Sequence, residues 1–220
     1  MSNRLAIFDC DGTLVDSQAD ICRAMEACFA GARLEPPPRE ATRRVVGLSL
    51  VDAIGVLLPD AEPSFHATLA EDYKKAFHRL RAGGMVEEPL FEGMPSLLEE
   101  LEAAGWLLGV ATGKSDRGLR LCLERHGIHA RFTTLQTADR HPSKPHPAMI
   151  AAALAEAGAE AADSVMIGDT SFDMAMARAA AVRAIGVSWG YHDSEELAEA
   201  GAEFIAHRPA ELGDYLGKLS

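Results

Sequence analysis

Four short runs along the chain are apolar almost without interruption: Leu5-Ala-Ile-Phe8, Trp106-Leu-Leu-Gly-Val-Ala111, Ser164-Val-Met-Ile167 and Arg183-Ala-Ile-Gly-Val187. Runs this short, with no apolar–polar alternation, fit strands covered on both faces, as in the parallel sheets of α/β proteins. Arg131-Phe-Thr-Thr-Leu135 and Glu203-Phe-Ile-Ala206 are weaker strand candidates. Between the runs, apolar positions fall at helical spacing and the ends carry helix punctuation. Met94 to Ala104 stops at Gly105, Ser115 to His126 opens on a serine cap and stops at Gly127, and Pro147 to Ala157 opens on proline and stops at Gly158. Ser171 to Ala181 and Ser194 to Ala200 complete the series. Strand and helix alternating from residue 88 onward predict an α/β fold, a parallel sheet with helices on both faces.

Residues 15–87 break that rhythm. They hold no convincing strand and read as three or four helices: Ser17 to Ala30, Arg39 to Leu58 with a break near Gly47, and Pro63 to Arg81. Ser17 followed by Asp20 reads as a helix-start capping pair. Gly83-Gly84 followed by Pro89 reads as a hinge. The expected organisation is therefore a core of residues 1–14 and 88–220, with a helical insert over residues 15–87 after the first strand.

Charge narrows the partners. The net charge is −12, and so acidic a surface repels phosphate backbones and anionic lipid heads, which argues against nucleic acid and membrane partners. Four cysteines, Cys10, Cys22, Cys28 and Cys122, sit at no zinc-like or redox spacing. The N-terminus lacks the apolar core of a signal peptide, and no apolar stretch approaches the ~20 residues that span a bilayer. A cytoplasmic location with reduced thiols is the expectation.

The chemistry gathers where the strands end. After Leu5–Phe8 comes Asp9-Cys-Asp11-Gly-Thr13; after Trp106–Ala111 comes Thr112-Gly-Lys-Ser115; after Ser164–Ile167 comes Gly168-Asp169-Thr-Ser-Phe-Asp173. Parallel sheets bind ligands at the carboxyl ends of their strands, so three strands deliver carboxylates, a hydroxyl and glycines to one rim. Convergent carboxylates repel one another unless a cation neutralises them. With oxygen donors only, the implied cation is hard, and Mg²⁺ fits best. Gly12, Gly113 and Gly168 would leave backbone N–H groups open to a phosphate. Lys144, in Ser-Lys-Pro-His-Pro, offers a cation on a loop stiffened by proline. Carboxylates, Mg²⁺, a hydroxyl and a lysine make a phosphoryl-transfer site.

Asp9-Cys-Asp-Gly-Thr-Leu-Val-Asp-Ser17, Thr112, Lys144 and Gly168-Asp-Thr-Ser-Phe-Asp173 resemble the four ordered motifs of the haloacid dehalogenase superfamily. The likeness spans the chain, the insert resembles that superfamily's α-helical C1-type cap, and the whole is similar to the phosphoglycolate-phosphatase-like branch with its Rossmann-like core. The resemblance implies a Mg²⁺-dependent hydrolase of small phosphate monoesters. In it, Asp9 attacks phosphorus to form an aspartyl-phosphate and Asp11 serves as acid, then base. Thr112, Lys144, Gly12 and Gly113 contact the phosphoryl group. Asp9, the backbone carbonyl of Asp11, and Asp169 hold Mg²⁺, and Asp173 acts through water or by holding Lys144. Asp11 disfavours the dehalogenase and phosphonatase chemistries, whose members lack that aspartate. A phosphosugar mutase uses the same nucleophile and cap, but often has valine where Thr13 stands. A catalytically silent binding protein on the same fold is a further alternative.

Other features read more plainly. His141 and His146 flank Lys144, yet no other His or Cys clusters with them in sequence. Cys10 reads as a strand-end residue turned into the core. Arg43 and Arg44, beside Gly47 in the insert, are the candidate substrate-recognition residues, the substrate being a small phosphorylated metabolite.

Overall fold

A computed structural model of the chain describes residues 3–219. The strands are β1 (Asn3–Phe8), β2 (Trp106–Thr112), β3 (Phe132–Thr137), β4 (Ala159–Gly168), β5 (Arg183–Val187) and β6 (Phe204–Ala206). The helices are α1 (Gln18–Gly31), α2 (Arg39–Arg44), α3 (Leu50–Leu57), α4 (Pro63–Ala82), α5 (Met94–Ala103), α6 (Asp116–Arg125), α7 (Ala148–Ala157), α8 (Ser171–Ala179), α9 (Ser194–Glu199) and α10 (Pro209–Gly217). The strands form one six-stranded sheet in the order β3-β2-β1-β4-β5-β6. Its strand pairings are parallel, with Phe8 level with Val110 on one side and Ile167 on the other.

The apolar strand runs are explained by two separate cores. Ala6 and Phe8 of β1 point to one face, where Leu98 of α5, Leu123 of α6 and Leu216 of α10 cover them. Leu5 and Ile7 point to the other, against Ile150 of α7, Met174 of α8 and Leu197 of α9. Because successive strand side chains alternate faces, an unbroken apolar run is what a twice-covered strand requires. Cys10 is buried in the first core and Met174 and Met176 in the second.

Helices α1–α4 stand apart from the sheet and pack on one another through Met25, Phe29, Ile54 and Leu69. The expected break near Gly47 falls between α2 and α3. Two expectations change. Ser17 makes no side-chain cap to α1, because its hydroxyl is turned to Asp11, while Asp20 accepts the backbone N–H groups of Glu87 (3.0 Å) and Glu88 (3.1 Å). Helix α10 has no counterpart among the elements expected from the sequence. Its signals are Pro209 at the first turn and Leu212 and Leu216 one turn apart, both fully buried.

Candidate active site

The loops after β1, β2 and β4 meet at the carboxyl edge of the central strands. Asp9 comes directly after β1 and is completely buried. Its Oδ1 accepts the Cys10 N–H at 2.7 Å and lies 2.9 Å from Lys144 Nζ. Its Oδ2 has no partner among the described residues. Burial pushes the Asp9 carboxyl up to about 7, against the pull of Lys144 and with the further push of Asp173.

Lys144 is itself buried and bridges two carboxylates, standing 2.7 Å from Asp173 Oδ1 as well as close to Asp9. Burial would lower its ammonium, but Asp173 and Asp9 outweigh that and hold it above its usual value. Asp173 is fixed by the start of α8, where Thr170 and Asp173 form a reciprocal capping box. The Thr170 hydroxyl donates to Asp173 Oδ2 at 2.7 Å, and its N–H does so at 3.1 Å. A helix-start motif thus presents one carboxylate oxygen to the lysine. Asp169 stands just past β4 and accepts from the Thr13 hydroxyl (2.7 Å) and the Tyr191 N–H (2.9 Å). Burial and the charges of Asp9 and Asp173 hold its carboxyl well above the ordinary range.

Asp9, Asp169 and Asp173 each offer an oxygen within 4.8 Å of the others. Three buried carboxylates with a single lysine among them leave excess negative charge, and Asp9 Oδ2 is an orphaned acceptor. Both features fit a hard divalent cation with oxygen ligands. His141 and His146 take no part: His141 meets Gln136 at 2.7 Å and His146 accepts the Ala148 N–H at 3.2 Å.

Asp11 lies farther out on the rim. Its Oδ1 accepts from the Ser17 hydroxyl and sits 2.8 Å from Lys114 Nζ. Lys114 also reaches Glu88 at 2.8 Å, and Glu88 meets Arg81 at 2.5 Å. Burial would lower the Lys114 ammonium, yet Asp11 and Glu88 keep it well above its usual value. The Ser17 hydroxyl lies 3.2 Å from Tyr191 Oη. Lys114, Glu88 and Tyr191 are therefore site residues that sequence reasoning missed, and Thr13 and Ser17 stood in the first motif without a contact assigned to them. For Lys114 the signal was its place two residues after Thr112; for Tyr191 it was a loop after a strand.

Two of the glycines are required by close packing. Gly12 has φ +82°, and a Cβ there would strike Asp169 and Tyr191. Its N–H is taken by the Val15 carbonyl at 2.9 Å, because the chain turns tightly after Asp11. A Cβ on Gly113 would run into the carbonyl oxygens of Leu48 and Gly47, so this glycine lets the α2–α3 loop lie on the rim. Thr112 is buried and its hydroxyl accepts the Lys114 N–H at 3.3 Å.

That α2–α3 loop is a point of contact between helical segment and core. Ser49 N–H donates to Ser143 Oγ at 2.7 Å, next to Lys144, and Gly47 faces Thr170. Gly47 also lines a cavity of about 220 Å³ lying between the rim and the helices. Arg43 and Arg44 do not. Arg44 turns outward to Glu196 of α9 at 2.7 Å, and Arg43 meets the Gln18 side-chain amide. Of the three residues expected to meet substrate, Gly47 lines this cavity, while Arg43 and Arg44 pair with Gln18 and Glu196.

A family model described as "Haloacid dehalogenase-like hydrolase" matches residues 6–187. The chain is 34% identical over 210 residues to "Probable phosphatase IndB" of Dickeya dadantii, covering 94% of this chain and 91% of that one. It is 32% identical over 224 residues to "Phosphoglycolate phosphatase" of Rhodospirillum rubrum, covering 97% and 91%. The crystal structure of a predicted phosphatase from Clostridium acetobutylicum superposes with a TM-score of 0.88 at 26% identity, covering 99% of this chain and 100% of that one.

Proposed function

The chain belongs to the haloacid dehalogenase-like hydrolases and is an enzyme of the phosphatase kind, and we propose that it hydrolyses small phosphate monoesters through a phosphoryl group carried on Asp9. The observation that carries this reading is the state of Asp9. It is fully buried at a strand end, with one oxygen held by Lys144 and the other without a protein partner among the described residues.

Asp9, Asp169 and the Asp11 backbone carbonyl would hold Mg²⁺, which when bound neutralises the carboxylates and the phosphate oxygens. In the first step an Asp9 carboxylate oxygen bonds to phosphorus as the bond to the ester oxygen breaks, and Asp11 gives that oxygen its proton. In the second, Asp11 takes a proton from water, the water oxygen bonds to phosphorus, and the bond to Asp9 breaks, releasing phosphate. Lys144, fixed by Asp173, keeps Asp9 oriented and offsets charge that builds on the transferring group. Thr112 supplies a hydroxyl to the phosphoryl oxygens. Helices α1–α4, with boundaries near residues 15 and 87, act as a cap that limits water at the site.

Phosphate release from a panel of small esters tests the reading. Release should require Mg²⁺, stop with EDTA, and leave free phosphate with no isomerised sugar phosphate when a hexose 1-phosphate is offered. Full activity in EDTA overturns the metal assignment, and an isomerised product makes the protein a mutase.

A further inference from the structure

The cavity between rim and helices holds about 220 Å³. An apolar cavity of about 150 Å³ takes up a benzene ring, so this one has room for a ring-bearing group, well beyond the two-carbon acid of phosphoglycolate. Its walls are mostly apolar, with Met25, Val45, Leu50 and Leu121 among them, and two rings, Tyr73 and Phe77, stand 6.0 Å apart on α4. Asp11 is the one acidic residue among those lining it, so the cavity opens directly on the proposed acid/base.

The cations nearest Asp11 are already matched. Lys114 is shared by Asp11 and Glu88, and Arg81 meets Glu88. Both also lie near the Phe77 ring centre, at 5.6 and 5.5 Å. Lys74, farther out, meets Glu71 at 2.9 Å, and Arg117 is exposed at the solvent end of the wall, where an ion pair is worth little. With Asp11 ionised, a carboxylate two carbons from phosphorus would have to compete with Asp11 and Glu88 for Lys114 and Arg81, and a charge left unpaired among the apolar walls is costly. Aromatic and aliphatic walls instead gain from covering a flat apolar group.

We infer that the alcohol half of the substrate is a bulky, ring-bearing and largely apolar group, uncharged beside the ester oxygen, and not a two-carbon acid. This rests on the phosphatase reading above. The Tyr73 side chain, standing in the same wall as Asp11, offers the group a hydroxyl. Burial drives this phenol's pKa upward, so it stays protonated.

Benzyl phosphate, phosphoglycolate and methyl phosphate make the test, since all three release an unactivated alkoxide. With wild-type protein and Mg²⁺, kcat/KM for benzyl phosphate should exceed that for phosphoglycolate by at least about tenfold, the scale on which apolar pockets discriminate. Phe77→Ala should cut the preference for benzyl over methyl phosphate by about tenfold, and Leu50→Ala should lower it in the same direction. Folding of each variant is checked by circular dichroism, and the wild-type ratio stands whether or not a variant folds. Phosphoglycolate hydrolysed as well as or better than benzyl phosphate overturns the inference and leaves the phosphatase reading intact. A preference untouched in both folded variants overturns the assignment of the cavity as the alcohol site. Metal-dependent release from none of the three overturns the phosphatase reading, and the inference with it.

Discussion

The strand-end rim and the underside of helices α1–α4 face each other across one cavity, yet they are assembled on opposite terms. On the rim, charge is concentrated: Asp9, Asp169, Asp173 and Lys144 are all buried, and the three aspartates stand within a few residues of a strand or helix end. Under the helices, apolar side chains dominate, and Lys114, Arg81 and Lys74 are neutralised by Asp11, Glu88 and Glu71. The rim has the parts to make and break a phosphorus–oxygen bond. The roof has the parts to choose which alcohol leaves. A chemical centre can be specified by short local motifs, because a strand end fixes both the direction and the spacing of the residues after it. A selecting surface is summed over many weak contacts from several helices, and no single residue carries it.

Breaking the rim should cost most. Asp9→Asn removes the nucleophile and should lower kcat on the order of 10⁴-fold or more, with the thermal unfolding midpoint little changed or raised, since a buried charge is relieved. Asp11→Asn should lower kcat by about 10²–10⁴-fold, read from initial rates with Mg²⁺ saturating.

Lys144→Met joins function to stability. It leaves Asp9 and Asp173 buried without their shared cation, a change that costs about 3–5 kcal/mol where one partner of a buried pair is lost. Denaturant titration of the metal-free protein should show that loss, and added Mg²⁺ should recover part of it. A Lys144→Met variant as stable as wild type would mean that these charges are matched in some other way.

The junction between the two regions gives a smaller effect with a pH signature. Glu88 is buried, and although burial alone would raise its carboxyl, Lys114 and Arg81 hold it below the ordinary 4.5. A depressed carboxyl contributes stability above the ordinary value and loses it as pH falls through the lower folded value. Glu88→Gln should therefore be destabilised by about 3 kcal/mol near neutrality, and the gap to wild type should narrow as the pH is taken below 4.5. Thermal melts across that range would read it. Smallest of all, Arg44→Ala removes a half-exposed pair with Glu196 and should cost no more than about 1 kcal/mol, with kcat/KM unchanged. A marked rise in KM would return this arginine to the substrate side.

The same contrast explains what could be read from the sequence. The strands, their parallel arrangement and the rim motifs were legible because each is local: Leu5–Phe8 must be apolar on both faces, and Asp9 must come where that run stops. Helix α10 went unread although Pro209 and the one-turn spacing of Leu212 and Leu216 mark it, because it is only nine residues long and its buried face shows only once the sheet is assembled. Lys114 reads as a loop lysine, since its partners Asp11 and Glu88 lie 103 and 26 positions away. Ser17 reads as a cap because capping is the local role of a serine before a helix; only the fold brings Asp11 within its reach. Arg43 and Arg44 sit near Gly47 in sequence, but a helical turn separates direction as well as position, and α2 aims them at Gln18 and Glu196.

The central claim, a phosphoryl group carried on Asp9, is tested most directly by quenching the enzyme in acid during turnover of a hydrolysed ester with Mg²⁺ and mapping the phosphorylated peptide by mass spectrometry. The phosphoryl group should be found on Asp9 and be absent from Asp9→Asn, which should also release no phosphate above background. Phosphate released at the wild-type rate by Asp9→Asn, or a phosphoryl group trapped on a different residue, would contradict it.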